Sequence, residues 1–225
     1  MEAERPEDKG FAAALRGFGP VGILAFVAIA LGNLLFLPLS AILVLLWARA
    51  ARIPWTDLGF ARPRSWSRTI VLGIVSGVAL KLLMKSVVMP LLGADPINHA
   101  FHFLEGNRAA LPWALYTMVI GAGFGEETLF RGYLFERFGR IWGTSAAGKV
   151  ATVLVSSTLF ALAHVSQQGK SGAEQAAMVG LIVGTIVAVT GQLWLAMVLH
   201  AAFDLTAVAV IYSGLESRVA HWFFR

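Results

Sequence analysis

Trp113-Ala-Leu-Tyr-Thr-Met-Val-Ile-Gly-Ala-Gly-Phe-Gly-Glu-Glu-Thr-Leu-Phe-Arg131 decides how this chain reads. An uncharged, mostly apolar run leads directly into two adjacent carboxylates, Glu126 and Glu127. A charge at the centre of a bilayer costs about 3 kcal/mol on insertion scales. Two side by side also repel each other. A chain keeps such a pair where a partner, a proton or a reaction makes use of it.

The surrounding composition says that the solvent is a bilayer. Of 225 residues, 57% are hydrophobic and 14% charged, with a mean hydropathy of +0.72. Soluble domains carry about 25% charged residues, so a water-soluble fold of this size would lack the charges to cover its surface. The fold class is therefore all-α, a polytopic transmembrane helical bundle of about six spans. Those spans are expected at 21–47, 69–92, 111–138, 149–165, 174–189 and 193–212. The first is long for one crossing, which takes about 20 residues. Asn33 and Pro38 inside it predict either a kinked helix or a tight helical pair.

The organisation is a polar segment at 1–20, one membrane domain at 21–213 with its catalytic core at 111–212, and a short tail at 214–225. The stretch Met1 to Arg16 is too long and too acidic for a signal-peptide head, so the first span is expected to be retained. The net charge of +5 does not imply a nucleic-acid partner. Arg49, Arg52, Arg62, Arg64 and Arg68 cluster between two apolar spans, the pattern of a cytoplasmic loop. The absence of cysteine excludes disulfides, cysteine zinc sites and a cysteine nucleophile.

Helical spacing sorts the polar residues that interrupt the C-terminal spans. Glu127 and Arg131 are four apart in the favourable acid-first order, a pair that can neutralise itself and brace the helix. Glu126 points about 100° away and is left as a general base. Phe160 and His164 share a helix face, as do His200 and Asp204. At about 1.5 Å per residue, these groups fall within about 10 Å of one depth, so they can converge. Glu126 would then take a proton from water with help from His164, while His200 and Asp204 stabilise the developing oxyanion. Glu126, His164 and His200 also resemble the ligand set of an open catalytic zinc site. Two readings stay open: a divalent metal such as zinc, or no cofactor. There is no His-Glu-x-x-His helix and no Gly-x-Ser-x-Gly elbow.

Two further pairs carry a plain and a sharp reading. Lys81 and Lys85 share one face of the second span. The expectation is a bundle-facing stripe with snorkelling stems, and the alternative is a site for an anionic substrate group. His99 and His102 have metal-ligand spacing, but loop histidines are the expectation.

Three motifs now stand in order on separate predicted helices: Glu126-Glu127-Thr-Leu-Phe-Arg131, Phe160-Ala-Leu-Ala-His164 and His200-Ala-Ala-Phe-Asp204. They resemble the Glu-Glu-x-x-x-Arg, Phe-x-x-x-His and His-x-x-x-Asn/Asp motifs of the CAAX protease and bacteriocin-processing family of intramembrane proteases, also called CPBP or Abi. The run Phe130-Arg-Gly-Tyr-Leu-Phe135 and the loop Asp57-Leu-Gly-Phe60 look like that family too. The resemblance spans roughly 55–212. It implies an intramembrane endopeptidase, with Glu126 and His164 activating water and His200 with Asp204 at the oxyanion. It also implies a peptide or protein substrate, lipidated or not, within a lipid bilayer, and a bacterial cytoplasmic membrane as the location. Asp204 occupies a position that is Asn in the prenyl-protein enzymes of the family. An amide donates a hydrogen bond and an ionised Asp cannot, so prenyl-protein specificity does not carry over by motif alone. The competing readings are a catalytically silent immunity or scaffold protein and a small proton-coupled transporter.

Overall fold

The computed structural model describes residues 10–224. The first nine residues of the expected polar segment, and Arg225 of the tail, lie outside the described residues. Among the described residues every regular element is helical, as expected for an all-α bundle. Three helices are long and apolar enough to cross a membrane: Trp66–Leu91, Ala146–Thr190 and Leu193–Tyr212.

The chain opens with a short helix α1 (Phe11–Arg16), followed by α2 (Pro20–Leu31) and α3 (Leu39–Ala50). The expected first span is thus a helical pair rather than one kinked helix. Twelve residues rise about 18 Å, well short of a hydrocarbon core of about 30 Å. The pair is closed at its tip by reciprocal bonds: Asn33 N–H donates to Ser40 Oγ, and Ser40 N–H to Asn33 Oδ1, both at 2.9 Å. These bonds satisfy backbone donors that lipid could not. At the open end Trp47 Nε1 donates to Leu15 O at 3.1 Å.

Helix α4 (Trp66–Leu91) starts at an N-cap, Ser65, whose hydroxyl accepts from Arg68 N–H. It packs on α8 (Leu193–Tyr212) through Gly73 and Gly77, four residues apart on one face. A Cβ on Gly77 would lie 2.3 Å from Leu199 O, and one on Gly73 2.6 Å from Val198 Cγ1. Small residues at this spacing let two membrane helices approach backbone to backbone.

Helix α5 covers 111–142 and is not a uniform α-helix. Regular turns at Leu111–Tyr116 and Leu134–Trp142 flank wider, π-helical turns at Thr117–Glu126 and Thr128–Tyr133. Wide turns of this kind recur at functional sites.

The segment Ala146–Thr190 is two helices joined at a sharp reversal. Gly169 has φ +64° and ψ −162°, which no right-handed helix contains. Beyond it the chain returns antiparallel: Gly180 packs on Ser157 and Gly184 on Val153. The limbs are α6 (146–168) and α7 (170–190). Gly191, at φ +65°, ends α7 and the chain turns into α8. A last short helix, α9 (Glu216–Ala220), closes the described chain.

The basic loop folds back onto the start of α8. Leu193 N–H donates to Gly59 O at 3.0 Å, Leu58 is buried, and Trp194 stacks edge-on against Phe60 and Trp66. The Asp57–Phe60 stretch is therefore an anchor for α8. At the opposite end of α8, Tyr212 O accepts from Gly106 N–H of the loop 93–110. Large apolar side chains such as Ile70, Val71, Ile74 and Val75 stay exposed along α4, as a lipid-facing surface requires. With its long apolar helices, the chain is an integral membrane protein.

Candidate active site

Glycines bring the carboxylates of α5 to their partners. A Cβ on Gly123 would lie 2.8 Å from Ala201 Cβ of α8, and one on Gly125 2.9 Å from Pro38 Cβ at the tip of the α2–α3 pair. Just before Glu126, therefore, α5 is pressed between two neighbours and has no side chain of its own at the contacts. The reach from α5 to α8 shortens to one side-chain length.

Glu127 uses that reach twice. Its Oε1 accepts from Arg131 Nη1 at 2.7 Å, the pair expected from the spacing. The same oxygen lies 2.7 Å from His200 Nδ1. Both Arg131 and Glu127 are essentially fully buried, at 1% and 0% side-chain exposure. A carboxylate can only accept here, so Nδ1 carries its proton toward Glu127 and the ring presents Nε2 to the far side. There His200 Nε2 lies 3.5 Å from Asp204 Oδ2 and 4.0 Å from Glu126 Oε2. Glu126 Oε2 is buried without a hydrogen-bond partner.

Phe160 is the hub against which the other groups rest. Its ring centroid lies 4.5 Å from that of His164, 5.8 Å from that of His200 and 5.0 Å from that of Phe130. The Arg131 guanidinium sits 4.3 Å over its face, a cation–π distance. His164 Nδ1 is 2.7 Å from Phe160 O one turn back on α6, which leaves Nε2 as the ring's other polar atom.

Glu126, His164, His200 and Asp204, from α5, α6 and α8, line one cavity of about 350 Å³. That is at the lower end of ligand pockets, roughly 300–1,000 Å³. Leu34 and Leu37 of the α2–α3 tip, and Phe101 and Leu104 of the 93–110 loop, complete its apolar walls. Glu127 and Arg131 are absent from the lining, which fits a supporting role.

Of the two open readings, a zinc site on Glu126, His164 and His200 does not fit this arrangement. Among the described residues no group of three or more His, Asp or Glu side chains is disposed to hold a metal ion. The bonds from Nδ1 of His164 to Phe160 O and of His200 to Glu127 leave both Nε2 atoms free, so those bonds are neutral on this point. His99 and His102 do not form a metal pair either. His99 lies 3.0 Å from Asp95, while His102 faces Glu105 at 3.3 Å and Glu216 at 3.5 Å.

Two relationships escaped sequence reasoning. The Glu127–His200 bond joins residues 73 apart, and no spacing rule reaches that far. The two lysines of α4 also prove different from each other. Lys85 is charge-paired: Nζ is 3.3 Å from Glu216 Oε1 and also donates to Pro96 O. Lys81 is buried, lines the cavity and meets a neutral partner, Gln175 Oε1, at 3.2 Å. The Gly73–Gly77 stripe, continued by four, points to Lys81 and was a readable signal.

Residues 108–206 match the sequence model of the family described as Type II CAAX prenyl endopeptidase Rce1-like. Over that segment the chain is similar to the Rce1-like family. No curated protein and no solved structure matches the chain. Every residue of the three motifs, from Glu126 to Asp204, falls inside the Rce1-like segment. Lys81 and the α2–α3 pair fall outside it, yet both line the same cavity. The Rce1-like description is that of an endopeptidase, so the family is one of CAAX-type membrane proteases.

Proposed function

We propose that the chain is an intramembrane endopeptidase that hydrolyses a peptide bond with water activated by Glu126 and His164. The observation that carries this reading is the convergence of Glu126, His164, His200 and Asp204 on one cavity, with a buried, unpartnered carboxylate oxygen facing His200 Nε2. Glu126 takes the proton from water as its oxygen attacks the scissile carbonyl. His164, on the same wall, orients that water. The carbonyl oxygen gains charge as the tetrahedral intermediate forms. With Nδ1–H locked by Glu127, the doubly protonated ring of His200 offers Nε2–H as the donor to that oxygen, and Asp204 acts through His200 as an acceptor that orients the ring. Collapse of the intermediate sends the proton from Glu126 to the leaving amine.

The substrate is a peptide or a protein segment reaching the cavity from the bilayer, lipidated or not, in a bacterial cytoplasmic membrane. The six-span bundle is part of the same proposal. Its support is that the Gly169 reversal turns one 45-residue run into two crossings.

The test compares peptidomes of cells expressing wild type and Glu126→Gln. A set of cleaved peptides present only with wild type is expected, with both proteins at equal level in the membrane. Identical peptidomes, with wild type demonstrably folded, would sink the proposal. His164→Ala is expected to match Glu126→Gln.

A further inference from the structure

The geometry points to Lys81 as the anion subsite of the cavity, a side chain that holds a carboxylate group of the bound peptide. This deepens the endopeptidase reading and rests on it.

Placement begins with the glycines. Residues 73, 77, 81 and 85 form one stripe along α4 at a spacing of four. Gly73 and Gly77 seat α4 on the backbone of α8. The next position along the stripe therefore has to lie against α8 as well. Lys81 does: its Nζ is 4.7 Å from the centroid of the Phe203 ring, and Phe203 immediately precedes Asp204. The side chain is only 7% exposed, and it lines the cavity that also holds Glu126, His164 and His200.

Asp204 and Glu216 attract the Lys81 charge and Lys85 repels it, but none of them is in contact with it. An ammonium has three donors, and Gln175 Oε1 takes one. Among the described residues no carboxylate lies within 4.0 Å of Nζ, whereas Lys85, one turn along, has Glu216. A buried cation on the cavity wall, whose contacts at Nζ are a neutral amide and an aromatic face, can take a contacting anion. Its complement is an anion small enough to share the cavity with a peptide bond at Glu126. A peptide carries such a group either as its terminal carboxylate or as an acidic side chain.

The test uses the full chain in phosphatidylcholine nanodiscs, carrying Glu126→Gln so that binding is read whether or not cleavage occurs. Three short apolar peptides of one sequence serve as probes: a free C-terminal acid, its C-terminal amide, and that amide with one glutamate side chain. Calorimetry should show one of the two carboxylate peptides binding about tenfold tighter than the plain amide, and which one identifies the source of the carboxylate. Adding Lys81→Met should bring all three to within about twofold of the plain amide, whose unchanged affinity reports an intact cavity. Lys81→Arg should keep the preference. Equal affinities without a Lys81 change, or a preference that survives Lys81→Met, would overturn the assignment. So would a Lys81-dependent rise in melting temperature on adding phosphatidylglycerol with no response to any peptide carboxylate, because the occupant would then be a lipid headgroup. The two readings fail separately. Cleavage without carboxylate preference removes the Lys81 subsite alone. Carboxylate preference without cleavage removes the endopeptidase and leaves the subsite.

Discussion

His200 Nδ1 and Arg131 Nη1 each lie 2.7 Å from one oxygen of Glu127. One buried carboxylate atom thus joins the helix that carries Glu126 to the helix that carries His200 and Asp204. The Glu127–Arg131 brace is also the positioning element of the histidine.

Glu127→Gln should therefore do two things. It leaves the Arg131 cation buried without a counter-charge, a loss of about 3–5 kcal/mol for a broken buried pair. It also replaces the charged oxygen shared by Arg131 and His200 Nδ1–H with a neutral amide oxygen, a weaker acceptor for both. The expected result is a lower midpoint of thermal unfolding together with loss of cleavage. A variant that is fully stable yet inactive would mean that Glu127 itself meets the substrate.

The α4–α8 contact makes a second prediction. Gly77→Ala puts a methyl 2.3 Å from Leu199 O, where a backbone has to move. Overpacking of this sort costs about 1–3 kcal/mol, and the displacement is passed to His200 one residue on. Gly139→Ala is the control, since its Cβ meets nothing within 4 Å; removing a helical glycine there should gain about 0.5–1 kcal/mol. Unfolding curves of both variants in one detergent would decide. Equal stability would show that α4 and α8 do not touch as described.

Metal dependence is a third. Among the described residues the cavity's donors do not form a ligand set. Cleavage by purified protein should persist at its full rate after prolonged exposure to 1,10-phenanthroline and after dialysis against EDTA. A rate that falls and returns on adding zinc would contradict this arrangement of Glu126, His164 and His200.

The sequence made the local relationships plain. Glu127 with Arg131, Phe160 with His164 and His200 with Asp204 are each one helical turn apart, and a turn is the distance over which residue spacing dictates geometry. All three pairs meet in the structure. The relationships that cross between helices were not legible, because they depend on how closely two backbones approach. Glu127 reaches His200 because Gly123 lets α5 close on Ala201, and Lys81 reaches Phe203 because Gly73 and Gly77 do the same for α4. Asn33 and Pro38 announced a break in the first apolar run without choosing between a kink and a pair. The reciprocal Asn33–Ser40 bonds that settle it need the fold already formed. Depths counted at a uniform rise per residue ignored the wide turns of α5, which no residue pattern there announced.

Backbone seated directly on backbone has no rotamers with which to yield. Gly73 and Gly77 press α4 on α8 at Val198, Leu199 and Ala202, immediately around His200. To roll or slide, α8 would have to unseat α4 along its length, so the register of His200, Phe203 and Asp204 is fixed before any peptide enters. Reorganisation on binding is left to the groups that approach from elsewhere, such as the tip of the α2–α3 pair and the 93–110 loop. Under the proposed reaction, the centre would be rigid where charge develops and compliant where substrate passes, the division of stiffness that electrostatic preorganisation calls for.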